Sequence, residues 1–540
     1  MIASLDILMV AAENDGIKTP KGREAKVGGI GDVVRDVPPA LAALQEPDCR
    51  ISIVVPSYGF LHKLDGANRI DRFRFPFAGS RKEIVLFEVP GKKPHSKVRH
   101  LVMHHPLFES RHPDSKKLTI YHNDPPKRPF ATDAIKFACF CAAVAEGLKR
   151  EAFGKVNRLH LHDWHAAFLL VLRLLDKSLA VLKGLRTVYT IHNLSIQGIR
   201  PLRGDPSSLE AWYPHLAFKG HEQQLMDPDY DNCLNPAAVG IRLSDAVHVV
   251  SPGYKSEILK PTIHRRFDPN AIRFGGEGLE KDLQKADQAT RLFGILNGTD
   301  YDDRKMPQRD LPAYQELLKL LHSTVSGWAA RSTDCVHELA LKRIGLLQAS
   351  AQRPEVLLTC VTRIVDQKVR LMGIPKGRSA LERILEELPQ NSFLILLGTG
   401  DRKLEKFLSD VSNRFARFLF LNGYDSAGAD ALYANGDLFL MPSSFEPCGI
   451  SQMMAMRDGQ PCVVHQVGGL KDTVKDEKTG FSFSGDNPNL QAKNFVLTVF
   501  RAINMMRNAP AKYEEIRQAA FRERFLWSNS IQEYVEKLYR

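Results

Sequence analysis

One local pattern restricts the fold of this chain more than any other: an apolar strand, a turn rich in glycine or proline, and then a helix. It is clearest where the apolar run 438–441 precedes residues 443–452, SSFEPCGISQ. In open α/β folds such turns lie at the carboxyl edge of the sheet, where ligands bind. The pattern therefore predicts Glu446 and several backbone N–H groups at such an edge. Taken alone, an ordinary strand-to-helix turn explains the segment equally well.

A second glycine turn follows the strand predicted over residues 5–12, in the segment KVGGIGDV that begins at Lys26. Gly28 and Gly29 remove two β-carbons just before a predicted helix. A phosphate can therefore approach the backbone at the positive end of the helix dipole. The segment is neither a Walker loop nor a GxGxxG fingerprint. On its own, a Gly-Gly turn is more often structural than functional.

Three further segments place polar residues at or just after predicted strands. They are HLHDWHAAF at 160–168, TVYTIHNLSIQG at 187–198, and CVTRIVDQK at 360–368. The β-branched and aromatic residues of the second predict a buried strand that ends near His192. In the third, Arg363 and Lys368 are spaced so that two cations can hold one anion from two sides.

Composition excludes several classes of protein. With 540 residues, 44% of them apolar and 25% charged, the chain is long enough for two domains with proper cores. It has no apolar run of membrane-spanning length and no basic region before its first apolar stretch, so we expect neither a membrane partner nor a signal peptide. The net charge of +12 is spread over scattered Lys and Arg residues without aromatic interleaving. Nucleic acid is therefore not an expected partner.

The eight cysteines include no CxxC pair, and Cys139 and Cys141 fall in an apolar helical pattern. This usage predicts reduced core residues in a reducing compartment. We therefore expect a cytoplasmic protein, or a plastid protein that has lost its transit peptide.

Three patterns imitate cofactor sites. HLHDWH at 160–165 lacks the Glu-x-x-His helix or the Cys partner of a zinc site, and its histidines are expected to make hydrogen bonds at a strand end. The acidic loop that begins at Asp227 has Asn232 and Ala238 where a calcium loop needs Gly and Glu. The glycine turn GTG at 398–400 continues to Lys403, which breaks the dinucleotide fingerprint. We predict no metal, no NAD and no pyridoxal cofactor.

Taken together, the motifs resemble those of the bacterial glycogen synthases and plant starch synthases, which add glucose from a nucleotide sugar to an α-1,4-glucan. The matching segments, in family order, are KVGGIGDVV, VVPSYG, HDWHAAF, TIHNLSIQG, LSDAVHVVSPGYKSEI, GILNGTD, VTRIVDQK, LLGTGD, LYANGDLFLMPSSFEPCGISQ and GGLKDTV. The resemblance runs from about Leu5 to about Tyr534, which is nearly the whole chain.

The resemblance implies an α/β fold of the GT-B type, with two Rossmann-like domains facing a central cleft. We place the N-terminal domain at 1–296, with the Lys26 loop on the acceptor side, and the nucleotide-sugar domain at 297–523. Residues 524–540 are expected to form a C-terminal helix that returns to the first domain. The stretch 305–347 has a helical pattern and matches the family poorly.

The resemblance also implies roles for individual residues. Glu446 orients the hydroxyls of the donor sugar, His192 contacts that sugar, Asp163 lies by the reacting centre, and Tyr424 stacks on the base. The catalytic group is therefore Glu446, His192, Asp163 and Lys26. The donor-binding group is Lys26, Gly28, Gly29, Arg363, Lys368, Tyr424, Cys448, Gly449, Ile450 and Ser451. No metal ligand is implied.

The sequence differs from the family pattern at four places. Residues 14–25 lengthen the loop before Lys26, Val369 replaces a glycine, Ala238 replaces a lysine, and Ser451 stands where the family usually has Thr. The predicted activity is transfer of glucose from ADP-glucose to the non-reducing end of an α-1,4-glucan, with retention of configuration. Two alternatives stay open: a UDP-glucose-dependent transferase that makes a small oligosaccharide, and a catalytically lapsed glucan-binding subunit.

Overall fold

A computed structural model describes residues 4–20, 23–95, 97–112, 116–264, 272–301, 305–331, 335–350, 352–375 and 377–540. Contacts divide the chain into two compact units. Unit 1 comprises Met1–Pro261, Gly275–Gly298 and Trp527–Arg540, and unit 2 comprises Thr262–Phe274 and Thr299–Leu526. Each unit is an α/β structure built on its own sheet.

The strands of the described chain are β1 (Leu5–Val10), β2 (Cys49–Pro56), β3 (Asn68–Phe77), β4 (Ser80–Val89), β5 (Val98–His104), β6 (Ser110–Arg111), β7 (Leu118–Thr119), β8 (Arg158–His162), β9 (Arg186–Ile191), β10 (Arg200–Pro201), β11 (Cys233–Leu234), β12 (Ala246–Val249), β13 (Ile263–His264), β14 (Ile272–Arg273), β15 (Leu292–Gly294), β16 (Val356–Val361), β17 (Ser392–Gly398), β18 (Phe418–Asn422), β19 (Leu438–Met441), β20 (Cys462–His465) and β21 (Phe481–Phe483).

The α-helices are α1 (Gly29–Ala42), α2 (Ala131–Lys149), α3 (Asp163–Leu175), α4 (Leu209–Trp212), α5 (Glu222–Leu225), α6 (Pro236–Leu243), α7 (Pro252–Ile258), α8 (Glu280–Gln288), α9 (Leu311–Ala329), α10 (Cys335–Gln348), α11 (Asp366–Val369), α12 (Ala380–Glu387), α13 (Arg402–Arg414), α14 (Ser426–Asn435), α15 (Ser451–Arg457), α16 (Gly468–Thr473), α17 (Pro488–Asn508), α18 (Pro510–Arg522) and α19 (Trp527–Glu533). Short 3₁₀ segments occupy Leu61–Lys63, Pro106–Phe108, Lys177–Gly184 and Arg370–Met372, and a π-helical segment occupies Tyr534–Tyr539.

The main sheet of unit 1 has nine strands within the described residues, in the order β15-β12-β9-β8-β1-β2-β5-β4-β3. It is parallel from β15 to β5, and the last two pairings, β5 with β4 and β4 with β3, are antiparallel. All six residues of β1 are buried, because helices cover both faces of a parallel sheet. The neighbouring strands β1, β8 and β9 end at the same edge, which brings three of the predicted motifs together.

The sheet of unit 2 is parallel throughout its described strands, in the order β18-β17-β16-β19-β20-β21. One core packs α12 and α17 against one face of this sheet. A second core packs α9, α10 and α14 against the other face. The helical pattern predicted over 305–347 is confirmed by α9 and α10.

The C-terminal tail lies within unit 1. The C-terminal helix predicted over 524–540 begins instead at Trp527, and its last turn, Tyr534–Tyr539, is π-helical. Arg158 Nε donates to Tyr539 O over 2.6 Å, and Arg186 Nε donates to Leu538 O over 2.9 Å. The two arginines therefore bind carbonyl groups at the end of the tail that have no intrahelical donors.

In the described part of the chain, every helix is too short or too polar to cross a lipid bilayer.

Candidate active site

The Lys26 loop connects β1 to α1, and a buried carboxylate holds its backbone. Glu13, 2% exposed, accepts through Oε2 from Val27 N and Gly28 N, each over 2.7 Å, and through Oε1 from the Tyr121 hydroxyl over 2.7 Å. Gly28 is the N-cap of α1, and Gly29 opens its first turn, where backbone N–H groups have no intrahelical acceptor. The Gly28 N–H, predicted to lie in the donor-binding group, therefore already has an internal partner in Glu13.

Gly31 explains how the Lys26 side chain crosses the start of α1. A β-carbon at Gly31 would lie 2.4 Å from Lys26 Cβ, closer than real β-carbons approach another atom. The third glycine of GGIG, Gly31, is therefore required by close packing rather than by a turn conformation.

Two carboxylates balance the charge of Lys26. Its Nζ lies 2.7 Å from Asp32 Oδ1 and 3.5 Å from Asp15 Oδ2. Asp15 also pairs with Arg35 over 2.7 Å and with Lys92 over 2.5 Å. Burial by itself would raise the pKa of Asp15, but these cations outweigh it and the pKa is lowered. Asp15 belongs to the loop lengthened at 14–25, so this departure from the family pattern contributes directly to the setting of Lys26.

Asp163 and His192 are neighbours because β8 and β9 pair in parallel. His162 is opposite Thr190 in the register, so the residues that follow each strand meet at the sheet edge. Asp163 Oδ1 accepts from His192 N over 2.7 Å. Asp163 starts α3 with φ of 55°, a left-handed conformation that is uncommon for a residue with a side chain.

The carboxyl group of Asp163 is fully buried, and burial raises its pKa to about 8. Backbone N–H groups of His192 and Asn193 donate to it and lower the pKa, but they do not offset the loss of water. Asp163 is therefore predominantly protonated at neutral pH. A protonated carboxyl group can donate a hydrogen bond as well as accept one.

His192 pairs with His162, whose Nδ1 lies 2.9 Å from His192 Nε2. Burial lowers the pKa of both rings well below the ordinary value, so both are neutral at pH 7. One ring must donate and the other accept. His162 Nε2 is buried without a partner among the described residues. An unpartnered lone pair at His162 Nε2 costs less free energy than an unpartnered N–H would, so the proton of His162 lies on Nδ1 and is donated to His192 Nε2. The proton of His192 must then lie on its own Nδ1, where it is available to a ligand.

Two further histidines of this sheet, His160 on β8 and His248 on β12, belong to a hydrogen-bond chain of fixed direction. His248 Nε2 donates to Ile295 O over 3.3 Å, so its Nδ1 accepts from the Thr190 hydroxyl over 3.0 Å. Thr190 in turn accepts from His160 Nε2 over 2.7 Å, and His160 Nδ1 accepts from the Tyr539 hydroxyl over 2.7 Å. His160 therefore makes the hydrogen bonds that the sequence predicted.

His165 differs from that expectation. It lies in the first turn of α3 rather than at a strand end, and its Nδ1 is buried without a hydrogen-bond partner in the described chain. Its ring packs on Trp164 and Phe137, with centroids 4.3 Å and 4.6 Å away. The prediction of a hydrogen-bonding role was wrong at this position, because the ring serves as an aromatic packing element.

Within the described residues, no group of three or more His, Cys, Asp or Glu side chains is arranged to hold a metal ion. The acidic loop at Asp227 is an Asx turn: Asp227 Oδ1 accepts from Asp229 N over 2.8 Å and from Tyr230 N over 2.9 Å.

In unit 2, the turn between β19 and α15 carries Glu446, which is 5% exposed. Its Oε2 forms an ion pair with Lys368 Nζ. Lys368 lies in α11, the short helix that follows β16, and Gln367 next to it donates to Phe445 O over 2.8 Å. Arg363 lies between β16 and α11 with an exposed side chain. Strands β16 and β19 are parallel neighbours, which places Arg363, Lys368 and Glu446 at one sheet edge.

The other predicted donor residues follow Glu446 or lie at the end of β18. Cys448 is buried, Gly449 has φ of 79°, Ile450 is the N-cap of α15, and Ser451 is its first residue. The Ser451 side chain lies near the Tyr433 hydroxyl and lowers its pKa, but burial has the larger effect and raises that pKa. Tyr424 follows β18 and is 60% exposed.

Gly468 and Gly469, which open α16, hold the Glu446 turn by close backbone contact. A β-carbon at Gly468 would lie 1.9 Å from Glu446 O, and one at Gly469 would lie 2.4 Å from Cys448 O. Gly469 N also donates to Glu446 O over 3.2 Å. Gly468 has φ of 43°, which favours glycine as well. Sequence reasoning noted GGLKDTV as a motif but gave it no role.

The structure thus brings the predicted residues together in two groups, one in each unit. Lys26, Asp163 and His192 follow the adjacent strands β1, β8 and β9 of unit 1. The residues at the carboxyl edge of the unit 2 sheet are Arg363, Lys368, Tyr424, Glu446, Cys448, Gly449, Ile450 and Ser451. Sequence reasoning missed Glu13, Asp15 and Gly31. The signal for Glu13 was present, since it directly follows the strand predicted over residues 5–12 and precedes a glycine turn.

Two departures from the family pattern are buried in helices. Val369 is the last residue of α11, and Ala238 lies in the first turn of α6 with its N–H donated to Asn235 Oδ1 over 3.0 Å. Neither position can present a side chain to solvent.

Comparisons with known proteins agree with this geometry. Residues 6–285 match the family model of the starch synthase catalytic domain, and residues 345–497 match that of the group 1 glycosyl transferases. A glycogen synthase of Streptococcus equi subsp. equi is 30% identical, covering 98% of this chain and 99% of that protein. A glycogen synthase of Photobacterium profundum is 29% identical, covering 98% and 94%.

Among solved structures, the catalytic domain of starch synthase IV from Arabidopsis thaliana bound to ADP and acarbose is similar in fold. Its TM-score is 0.75 with 24% sequence identity, and the match covers 99% of each chain. A sucrose-phosphate synthase from Thermosynechococcus elongatus shares the fold with a TM-score of 0.54. With the family model covering more than half of the chain, this protein belongs to the glycogen and starch synthase family of glycosyltransferases.

Proposed function

We propose that this enzyme transfers glucose from ADP-glucose to the non-reducing end of an α-1,4-glucan with retention of configuration. The observation that carries the proposal is the Glu446–Lys368 ion pair, which lies beside Arg363 at the carboxyl edge of the unit 2 sheet. An α/β sheet binds its ligand at this edge. A carboxylate and two cations there suit a ligand that combines sugar hydroxyls with a diphosphate.

Cleavage of a nucleotide sugar places negative charge on the leaving diphosphate. Preorganised cations stabilise this charge more in the transition state than in the ground state, and so they accelerate the reaction. We assign Arg363 and Lys368 of unit 2 to the diphosphate. Lys26 is a proposed donor-binding residue of unit 1. Asp32 and Asp15 hold Lys26 in a defined place, so little reorganisation is needed when it binds an anion.

Glu446 has a different task. It is buried and its Oε2 is paired with Lys368, which leaves Oε1 to accept from hydroxyl groups of the donor sugar. The backbone at Cys448, Gly449 and Ile450 precedes α15, and with Ser451 it supplies donors to the phosphate or to ring hydroxyls. The exposed ring of Tyr424 stacks on the nucleotide base.

His192 and Asp163 of unit 1 are assigned to the glucosyl group. His192 is neutral and carries its proton on Nδ1, so it can donate to a hydroxyl of the donor sugar. Asp163 is protonated over most of the neutral range and lies within hydrogen-bond reach of the His192 backbone. A neutral carboxyl group can both donate to and accept from sugar hydroxyls, so it can orient those near the reacting carbon. A covalent intermediate and same-face attack both fit these assignments.

The expected partners are a nucleotide sugar and a glucan, and the expected place is the cytoplasm. All eight cysteines are free thiols, and burial raises the pKa of the thiols of Cys139 and Cys141. Unbridged, protonated thiols suit a reducing compartment.

The experiment measures nucleotide release from ADP-glucose and from UDP-glucose, each with and without glycogen, in the wild type and in Glu446→Ala. We expect release that requires glycogen, is faster from ADP-glucose, and falls at least about 100-fold in the variant. Faster release from UDP-glucose would contradict the donor assignment. Absence of release from either donor, in protein shown to be folded, would contradict the proposed function.

A further inference from the structure

Helix α9 and the segment that follows it lie outside both ranges matched by the family models, which end at residue 285 and resume at residue 345. The helix is nevertheless firmly packed in unit 2. Its buried face contributes Tyr314, Leu317, Leu318, Leu321 and Val325 to a core shared with β18 and α14. Those two elements flank the predicted base-binding residue Tyr424.

The last turn of α9 places an aromatic ring against the turn that carries Tyr424. A β-carbon built on Gly423 would lie 2.8 Å from three ring carbons of Trp328, namely Cη2, Cζ2 and Cζ3. The benzene part of the indole therefore fills the space that a side chain at position 423 would need. The two residues fit together only because position 423 is glycine.

The other side of this turn is also held. Gly423 N donates to Gly398 O over 3.1 Å, which ties the end of β18 to the end of β17. Asp425 Oδ2 accepts from Gly428 N over 2.8 Å and caps α14. Trp328 packs against Gly423 between these fixed flanks, so it is one of the contacts that define the path of residues 423–425.

Trp328 itself has a second layer of support. The ring of His337, on α10, lies 5.9 Å from it between centroids, and His337 is 6% exposed. Trp328 is partly buried and packs on the core that α9 shares with α14. The indole therefore has contacts with α10 and with the core as well as with Gly423, which restrict its movement.

We propose that Trp328 is a positioning residue for the nucleotide base. It sets the path of the Gly423–Tyr424 turn so that the Tyr424 ring faces the base, and α9 thereby contributes to affinity for the nucleoside part of the donor. The inference rests on the proposed function only in assigning the base to Tyr424. Trp328, and with it helix α9 outside the matched ranges, thus joins the residues that determine donor binding.

The test compares ligands with and without a base on the full chain. Calorimetric titration measures the affinity for ADP and for inorganic pyrophosphate in the wild type, Trp328→Ala and Trp328→Phe. Stacking of a base on an aromatic ring contributes to the binding free energy. Displacement of Tyr424 in Trp328→Ala should therefore weaken ADP binding about tenfold. Pyrophosphate binding should stay within about twofold of the wild type, because its contacts are to the cations. Trp328→Phe keeps a smaller ring against Gly423, so its affinity for ADP should fall about threefold while its affinity for pyrophosphate stays unchanged.

Two further variants separate positioning from general damage. Leu346→Ala removes a side chain of α10 that is 66% exposed, and it should leave both affinities unchanged. Gly423→Ala forces a β-carbon against the Trp328 ring and should weaken ADP binding in the same selective way. The double variant Trp328→Ala with Gly423→Ala should lose no more ADP affinity than Trp328→Ala alone, since both changes act on one contact.

Each result of these titrations either supports or overturns the role proposed for Trp328. Loss of ADP affinity with pyrophosphate affinity preserved, in Trp328→Ala or, if that variant unfolds, in Trp328→Phe, supports the proposal. ADP affinity within twofold of the wild type in the folded variants overturns it, and so does an equal loss for ADP and pyrophosphate. Wild-type protein that binds ADP but releases no nucleotide from either sugar donor would contradict the proposed function, while these titrations would still decide the role of Trp328.

Discussion

The Lys26 loop of unit 1 and the Glu446 turn of unit 2 both follow a buried parallel strand and both precede a helix, yet they are held in different ways. Side chains hold the Lys26 loop: Glu13 binds its backbone, and Asp15 and Asp32 bind the Lys26 ammonium. Backbone packing holds the Glu446 turn, because two glycines of α16 lie against its carbonyl groups.

Sequence changes therefore have different consequences at the two turns. A turn held by side-chain hydrogen bonds tolerates a change in loop length if the anchoring carboxylate is kept, and residues 14–25 are such a change. A turn held by backbone contact tolerates no added atom at the contact, because the backbone cannot move aside as a flexible side chain can. Charged anchors also respond to pH, whereas backbone contacts do not.

The largest effect is expected from Gly468→Ala in unit 2. The new β-carbon would lie 1.9 Å from Glu446 O at a residue with φ of 43°, so the turn must move and Glu446 with it. We expect kcat for glucosyl transfer to fall about 100-fold and Tm to fall by several degrees. Steady-state kinetics and thermal unfolding check this prediction.

Gly345→Ala is the matched control for this variant. Gly345 lies in α10 of the same unit, and an added β-carbon there meets no atom within 4 Å. Alanine is the better helix former by about 1 kcal/mol, so Tm should stay the same or rise. Equal activity of the two glycine variants would show that backbone contact does not set the position of Glu446.

A smaller effect is expected from Glu13→Gln in unit 1. The amide keeps the size of the side chain but brings an NH₂ group toward donors that need an acceptor. Each buried donor left without an acceptor costs about 1–3 kcal/mol, so we expect kcat/KM for the nucleotide sugar to fall about 30-fold.

Tyr121→Phe sharpens the prediction for Glu13, because it removes one of the three hydrogen bonds to that carboxylate and leaves the other two. The expected loss in kcat/KM is about threefold. A Glu13→Gln enzyme with wild-type kinetics would mean that the Lys26 loop does not depend on its side-chain anchor.

The smallest effect is a pH dependence of stability in unit 1. Burial raises the pKa of Asp163 from 3.8 to about 8, so folding favours its protonated form. This contribution is complete below about pH 4 and is lost as pH rises toward 8. Asp163→Asn has no such loss, and Asn tolerates a positive φ well. The Tm of the variant minus that of the wild type should therefore increase by about 3 °C between pH 5 and pH 8.5.

Thermal unfolding of both proteins across this pH range checks the sign. A difference in Tm that stays constant, or that falls with rising pH, would show that Asp163 is ionised in the folded protein. The turn at Glu446 offers a comparison, since the Tm difference between Gly468→Ala and the wild type should not vary with pH over the same range.

Sequence reasoning reached the family, the two-domain α/β fold class and glucosyl transfer, and the comparisons confirm all three. The meeting of Asp163 with His192 was also within its reach. Each follows an apolar strand, and parallel neighbours end at one edge. The roles of the individual residues, the choice of ADP-glucose and the domain limits at 296 and 523 remain predictions.

Other features depend on contacts between distant segments, which local patterns do not encode. Gly468 is required because it meets Glu446 O, and Gly423 because it meets Trp328. In both cases a sequence motif gives the glycine but not its neighbour. The π-helical end of the tail at Tyr534–Tyr539 was unpredictable for a similar reason, since Arg158 and Arg186 bind its terminal carbonyl groups from within the sheet.

The most direct test of the central claim follows labelled glucose from ADP-glucose into glycogen and then digests the product with an exo-hydrolase specific for α-1,4 bonds at non-reducing ends. The account predicts incorporation by the wild type, complete release of the label by the hydrolase, and no incorporation by Glu446→Ala. Label that resists the hydrolase, or that appears only in a small soluble saccharide, would contradict it and would favour an enzyme that makes a short oligosaccharide. Binding of glycogen without any incorporation would indicate a catalytically lapsed glucan-binding subunit.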